Sequence, residues 1–195
     1  MNAPGPRLAH VVLQTSQPEA LAEFYTKVLN AHVVFAGAGL IFLTCDDEHH
    51  RVAIAALPGG AEAKNPRAVG MNHMAFTFDT LDELLAQYQR LAAQGIRPAV
   101  PVQHGVTTSL YYRDPDGNFV ELQIDNFATP DDATAFLQGP EFEVDSWGPQ
   151  FDVDLMIEAR ANGVGVDELT SRAWVLAGPK LPHPSVVLAG IDVTN

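Results

Sequence analysis

Residues 8–29, LAHVVLQTSQPEALAEFYTKVL, recur in outline at residues 71–92, MNHMAFTFDTLDELLAQYQRLA. With His10 set over His73, Leu21 falls on Leu84, Tyr25 on Tyr88, Lys27 on Arg90, Val28 on Leu91 and Glu19 on Asp82. Each copy reads as a short alternating strand, a polar turn and an amphipathic helix of about three turns. Gly95 stands where the second helix should end, because glycine accepts the left-handed C-cap conformation. Strand-like runs follow each helix: AHVVFA, GLIFLTC and RVAIAAL in the first copy, RPAVPV, TTSLYYRD and NFVELQID in the second. The turn DPDG at 114–117 predicts a hairpin between the last two, since proline fixes φ and glycine permits positive φ. The unit is βαβββ, present twice. This predicts an α+β fold of two curved four-stranded sheets, each with its own helix on one face.

The paired units are expected to form one domain over residues 7–127, with modules at 7–57 and 70–127. The stretch PGGAEAKNPRAVG (58–70) between them reads as an exposed connection. Residues 128–195 differ in character. TPDDATAFLQG (129–139) predicts a helix capped by Thr or Asp, and PQFDVDLMIEARANG (149–163) another short one. The rest is punctuated by Pro and Gly without a clear period. This extension shows no chemistry of its own. Its apolar Phe136, Phe142, Trp147 and Phe151 point to subunit contacts in a homo-oligomer, or to a segment folded back over the core.

Composition removes several classes of function. The chain is 47% hydrophobic, as a globular protein with a sizeable core should be, yet contains no run of about 18 apolar residues that would span a membrane. The opening MNAPGPRLAH lacks the charged-then-apolar pattern of a signal peptide, and a single cysteine, Cys45, allows no internal disulfide. Both suit a reducing cytoplasm. A formal net charge of −13, with 11 basic residues scattered along the chain, argues against nucleic acid or anionic membrane as a partner.

Strand periodicity then separates the faces. His10, Val12 and Gln14 alternate with Val11 and Leu13; His73, Ala75 and Thr77 alternate with Met74, Phe76 and Phe78; Glu121 lies opposite Val120, Leu122 and Ile124. In each case the apolar set is the natural seat of the helix, and the residue able to bind a metal points away from it. The helix-free faces of two curled sheets are expected to form a funnel, with His10 and His73 meeting near its pseudo-symmetry axis. One strand histidine alone would more often be a hydrogen-bonded structural residue. Two at duplicate positions, with a carboxylate, make the facial arrangement that suits non-haem Fe(II) and leaves positions open.

The duplication, with LAHVVL, MNHMAF and DPDGNFVELQ, resembles the vicinal oxygen chelate superfamily of glyoxalases, antibiotic-resistance proteins and extradiol dioxygenases. The resemblance covers residues 7 to about 127 and implies metal ligands His10, His73 and Glu121. Four-ligand members of the superfamily carry an acid or amide in the first module at the position equivalent to Glu121. RVAIAALP offers none between Val52 and Leu57. CDDEHHRVAIAALP (45–58) resembles the stretch of type I extradiol ring-cleaving dioxygenases in which paired histidines precede the last strand of the first module. That match assigns His50 as the acid–base histidine. PVQHGVTTSLYY resembles the region carrying a further pocket histidine and a tyrosine, His104 and Tyr111, with Tyr112 as the alternative tyrosine.

What the resemblance implies is a one-domain extradiol dioxygenase of aromatic catabolism. It would use Fe(II), with Mn(II) able to take the same ligands, to cleave a catechol-type diol such as catechol or 2,3-dihydroxybiphenyl with both atoms of O2. The rivals are a metal-dependent lyase or isomerase of the glyoxalase type and a non-catalytic ligand-binding member of the superfamily.

Overall fold

The structure, a computed structural model, describes residues 5–59, 62, 64–65 and 68–189. The connection expected at 58–70 lies partly outside the described residues, as do the first four residues and 190–195 of the extension. Contacts divide the chain into two compact units, residues 1–64 with 114–118, and residues 65–113 with 119–195.

In the first unit the element order is β1 (Val11–Thr15), α1 (Pro18–Val28), β2 (His32–Gly37), β3 (Leu40–Thr44) and β4 (Val52–Ala56). The strands lie in the order β1-β4-β3-β2, β1 parallel to β4 and the other pairs antiparallel. Pro18 opens α1, where its missing N–H costs nothing. The helix buries Leu21, Ala22, Tyr25 and Val28. It packs on β3 and β4, and Leu13, Leu43, Val52 and Ile54 are buried with it. Burying each large side chain of this kind contributes about 1.5–3 kcal/mol. The opposite face, with Val12 at 53% exposed, is left open within this unit.

The turn Asp114–Asn118 belongs to this unit. Tyr25 Oη donates to Asp114 Oδ2 at 3.1 Å, and Asp114 Oδ1 accepts from the Asp116 and Asn118 amides at 2.9 and 2.7 Å. Gly117, at φ 86°, closes the hairpin as DPDG predicts. Burial raises the Asp114 carboxyl above its ordinary value, although bonds from Asn118 and Tyr25 pull against that. Cys45, half-buried after β3, has its thiol pushed up by burial and by the charge of Asp46.

The second unit repeats the plan with β5 (His73–Thr77), α2 (Leu81–Ala92), β6 (Val100–Gln103), β7 (Thr107–Arg113) and β8 (Phe119–Asp125), in the order β5-β8-β7-β6. Again the first and last strands pair in parallel. Thr80 Oγ1 accepts from the Glu83 amide at 3.2 Å while Glu83 Oε2 accepts from the Thr80 amide at 3.0 Å, a reciprocal cap that fixes where α2 begins. Gly95, at φ 77°, ends it, with Ile96 N donating to Leu91 O at 3.0 Å. Leu81, Leu84, Leu85, Tyr88 and Leu91 are the buried face of α2, and the chain of buried β8 residues Val120, Leu122 and Ile124 lies beneath it.

The extension packs within this second unit. It forms α3 (Pro130–Leu137), α4 (Pro140–Val144), α5 (Val153–Ala161), α6 (Val166–Leu169), α7 (Arg172–Ala177) and α8 (Ser185–Leu188). The sequence predicted α3 and α5. The four others are four to six residues long and form because their apolar residues dock, as short helices are marginal alone. Phe151, Val153, Met156, Leu169, Val175 and Leu188 are buried. Gln103 N donates to Pro149 O at 2.9 Å, and Val102 bridges Gln150, so the extension runs along the free edge of β6. Phe136 contacts the Phe127 and Phe142 rings, and Trp147 packs with Leu188 against Val100, Val102, Tyr111 and Phe119. Folding back over this sheet is what these aromatic residues do. No helix among the described residues is long and apolar enough to cross a membrane.

Candidate functional site

In the second unit, β7 and β8 pair so that Tyr111 stands opposite Glu121, and on the other side β5 sets Ala75 against Glu121. Cross-strand partners share a face, so Tyr111, Glu121 and, along the parallel pair, His73 and Phe119 lie on the side of the sheet away from α2. His73 Nε2 is 3.1 Å from Glu121 Oε2. Glu121 is only 3% exposed. Burial alone would raise its carboxyl, but hydrogen bonds from His73 and Ser109 and the charges of His73 and His104 bring it below the usual carboxylate value. The anion is therefore stable in a buried place. His104 Nε2 lies 3.0 Å from Tyr111 Oη, and the backbone at Trp147 hydrogen-bonds the same imidazole. Burial lowers His104, favouring the neutral ring. Burial and the neighbouring Glu121 raise the Tyr111 phenol, so it keeps its proton at neutral pH.

Tyr112 is the next residue and faces the other way. Its partner across the ladder is Val120, it is fully buried, and its hydroxyl has no hydrogen-bond partner. Of the two tyrosines the sequence left open, register sets Tyr111, not Tyr112, on the face of Glu121.

In the first unit, His10 is exposed on the lead-in to β1, and its ring centroid lies 4.4 Å from that of His50. Phe42 stacks on the His50 ring, with centroids 4.5 Å apart and 13° between the planes. His49 Nδ1 is 2.6 Å from His50 Nδ1. Burial, then the charges of His10 and His49, lower His50 and favour its neutral, proton-accepting form. Arg51 holds the frame around these rings. Its Nη1 donates to the carbonyls of Leu8 and Ala9 at 2.5 and 2.7 Å, and its Nε to Asp46 Oδ2 at 2.8 Å. The parallel register pairs Val12 with Ala53 where the second unit pairs Ala75 with Glu121. Ala53 therefore occupies the place of the absent fourth ligand.

Of the six residues expected at the site, His73, Glu121, His104 and Tyr111 are gathered in one unit, and His10 and His50 in the other. Within either unit, among the described residues, no three His, Cys, Asp or Glu side chains converge as a metal site. Within the second unit, the His73 imidazole nitrogen beside the buried Glu121 carboxylate oxygen is nonetheless a donor pair of the kind that suits a divalent metal such as Fe(II) or Mn(II). Sequence reasoning passed over Phe42, Arg51, Ser109, Trp147 and Arg172. Ser109 could have been found, since period two places it with Tyr111 on one face of TTSLYY. Arg51 and Trp147 on loops, Phe42 in β3 and Arg172 at the start of α7 stand singly and carry no such signal.

The family model described as the Glyoxalase/Bleomycin resistance protein/Dioxygenase superfamily matches residues 7–122. Biphenyl-2,3-diol 1,2-dioxygenase 2 of Rhodococcus globerulus is 56% identical, over 94% of this chain and 97% of its own length. Biphenyl-2,3-diol 1,2-dioxygenase 3 of the same organism is 55% identical, over 88% of this chain and 90% of its own. A lactoylglutathione lyase structure from Agrobacterium tumefaciens superimposes with a TM-score of 0.50 at 26% identity, covering 63% of this chain and 96% of that one. A match that runs through both modules, and relatives more than half identical along nearly the whole length, lead to one conclusion: this chain belongs to the Glyoxalase/Bleomycin resistance protein/Dioxygenase superfamily.

Proposed function

We infer that the protein is an extradiol ring-cleavage dioxygenase. It opens a catechol-type diol beside, not between, the hydroxyl-bearing carbons and places both atoms of O2 in the product. The observation that carries this is identity of 55–56%, over most of the chain, to two biphenyl-2,3-diol 1,2-dioxygenases. The substrate is accordingly 2,3-dihydroxybiphenyl or a close relative.

The metal proposed is Fe(II), with Mn(II) able to use the same donors, and the ligands proposed are His10, His73 and Glu121, as the family resemblance implies. The matched places of the two histidines in the duplicated sequence, one just ahead of β1 and the other opening β5, and the depressed carboxyl of Glu121 support this. When bound, Fe(II) supplies Lewis acidity toward the diol hydroxyls and the redox capacity to activate dioxygen. Ala53 in the fourth-ligand position speaks for ring cleavage over a glyoxalase-type lyase.

The chain's own residues move and hold the protons. His50, neutral because of burial and its histidine neighbours, accepts a phenolic proton as the diol docks and returns it later. Phe42, stacked flat on it, limits how the imidazole can turn. Tyr111, kept protonated beside Glu121, donates a hydrogen bond toward the substrate oxygens, and His104 holds the phenol in place.

The test is oxygen uptake and visible absorbance after loading with Fe(II) without air, then adding 2,3-dihydroxybiphenyl, catechol or 3-methylcatechol in air. A yellow ring-opened product that disappears with Glu121→Ala supports the reading. No uptake with any diol from fully loaded protein rejects it.

A further inference from the structure

We propose that the C-terminal extension is a working part of the active site, in which Arg172 and the turn from Asp145 to Gly148 clamp His104 onto Tyr111. The use assigned to the clamp rests on the dioxygenase reading; its geometry does not.

His104 sits in the turn between β6 and β7, where its amide donates to Thr107 O at 2.9 Å and its ring meets Tyr111 Oη. The extension grips it from several directions. Arg172 Nη2 donates to the His104 carbonyl at 2.8 Å, Nη1 donates to Glu141 O at 3.0 Å, and the guanidinium carbon lies 5.3 Å from the centroid of the Phe136 ring. The Trp147 backbone bonds the imidazole itself. Gly148, at φ 78°, lies so close to the Gln103 carbonyl and His104 Cα that a β-carbon there would overlap them. Asp145 Oδ1 shapes this turn by accepting from the Trp147 and Gly148 amides at 3.0 and 2.9 Å.

The turn is in turn pinned to α8. His183 Nε2 lies 3.6 Å from Asp145 Oδ1, and its Nδ1 is 2.8 Å from the buried Ser185 Oγ. The residues flanking His104 are held too: the Gln103 side chain bonds the Thr170 carbonyl and the Gly105 amide. Beneath Tyr111, the other member of the pair, lie Leu188, Val187 and Trp147.

Every clamp residue falls beyond 122, where the family match ends. The lyase structure spans 63% of this chain at 96% of its own length, whereas the two dioxygenases extend over 94% and 88%. The clamp therefore lies in the extension, into which both dioxygenase matches run. Arg172, acting through His104, is a positioning residue.

The experiment compares wild type with Arg172→Met, which keeps the stem but removes the donors, and Arg172→Lys. Asp145→Ala, which loosens the turn from the other side, serves as an independent variant. Each is assayed as iron-loaded full chain with 2,3-dihydroxybiphenyl, alongside iron content and the ring ¹⁵N signals of His104 on the full chain without added iron. The expected result is a kcat lower by about tenfold or more in Arg172→Met and Asp145→Ala, with KM and iron content little changed, since small displacements of a reacting group cost that much. The His104 ring signals move, and Arg172→Lys, which can still reach the His104 carbonyl, recovers part of the rate. Unchanged kcat, or a lowered kcat with unmoved His104 signals, overturns the clamp. If wild type cleaves no diol, the dioxygenase reading falls and the ring signals alone decide whether the clamp exists.

Discussion

Tyr111 and Glu121 face each other across the β7–β8 ladder, whereas Tyr112, one residue further on, meets Val120 on the helix side with an unpartnered hydroxyl. Two adjacent tyrosines thus have opposite prospects. Tyr111→Phe removes the donor and should lower kcat/KM by about 10²-fold. Tyr112→Phe removes an unsatisfied buried group, so it should leave activity within about twofold and raise unfolding stability by up to about 1 kcal/mol. Oxygen uptake and urea unfolding on both variants decide the matter. Equal losses of activity would mean the register argument assigns the wrong tyrosine.

His50 lies against the rings of both His10 and Phe42. His50→Gln should therefore lower kcat by about 10²–10⁴-fold, the range for a lost general acid or base, while iron content stays near that of wild type. Phe42→Leu, which frees the ring but leaves the base, should give a smaller loss. Metal analysis beside steady-state rates separates the two effects. Loss of iron in His50→Gln would recast it as a ligand.

Arg51 ties the chain ahead of His10 to the loop that carries His50. Arg51→Ala should weaken iron binding by about tenfold, the lower end for loss of an outer support. Lysine should not restore it, because a single ammonium cannot serve two carbonyls on one side and a carboxylate on the other as a planar guanidinium does. Competition with a chelator of known affinity measures the change, and an unaltered affinity would refute the assignment.

Asp114 gives a pH signature. Burial raises its carboxyl in the folded chain, so the folded state holds the proton more tightly than the unfolded one. The resulting stability is fully present below the ordinary carboxylate value of about 3.9 and is lost as pH rises through the raised value. The unfolding free energy of wild type, relative to Asp114→Asn, should fall as pH rises from about 4 and then level off. Urea titrations of both proteins at successive pH values test this; a difference that does not vary with pH contradicts it.

The duplicated module was readable because strand and helix periods are written in which residues are apolar, and His10, His73 and Glu121 each interrupt an apolar pattern on a definite side. Period two separated the faces of β8 but could not orient the Tyr111–Tyr112 pair. That required knowing which residue of β7 pairs with Glu121, which the turn and ladder set together. The capping box at Thr80 and Glu83 was in plain view as T-x-x-E and marks the start of α2. The extension was largely illegible. Helices such as Val166–Leu169 and Ser185–Leu188 are too short to carry a period, and their stability comes from what they dock on, α5 and α7 for the first and the sheet for the second. Arg172 leaves no trace in sequence, because its partners are backbone carbonyls that any residue supplies.

Cys45 follows β3 and is half-buried, with its thiol held protonated by burial and by the charge of Asp46. Thiolates, not thiols, are the species that oxidants attack. A catalyst that draws dioxygen into its own interior thus keeps its only sulfhydryl in the form least open to self-inflicted oxidative damage.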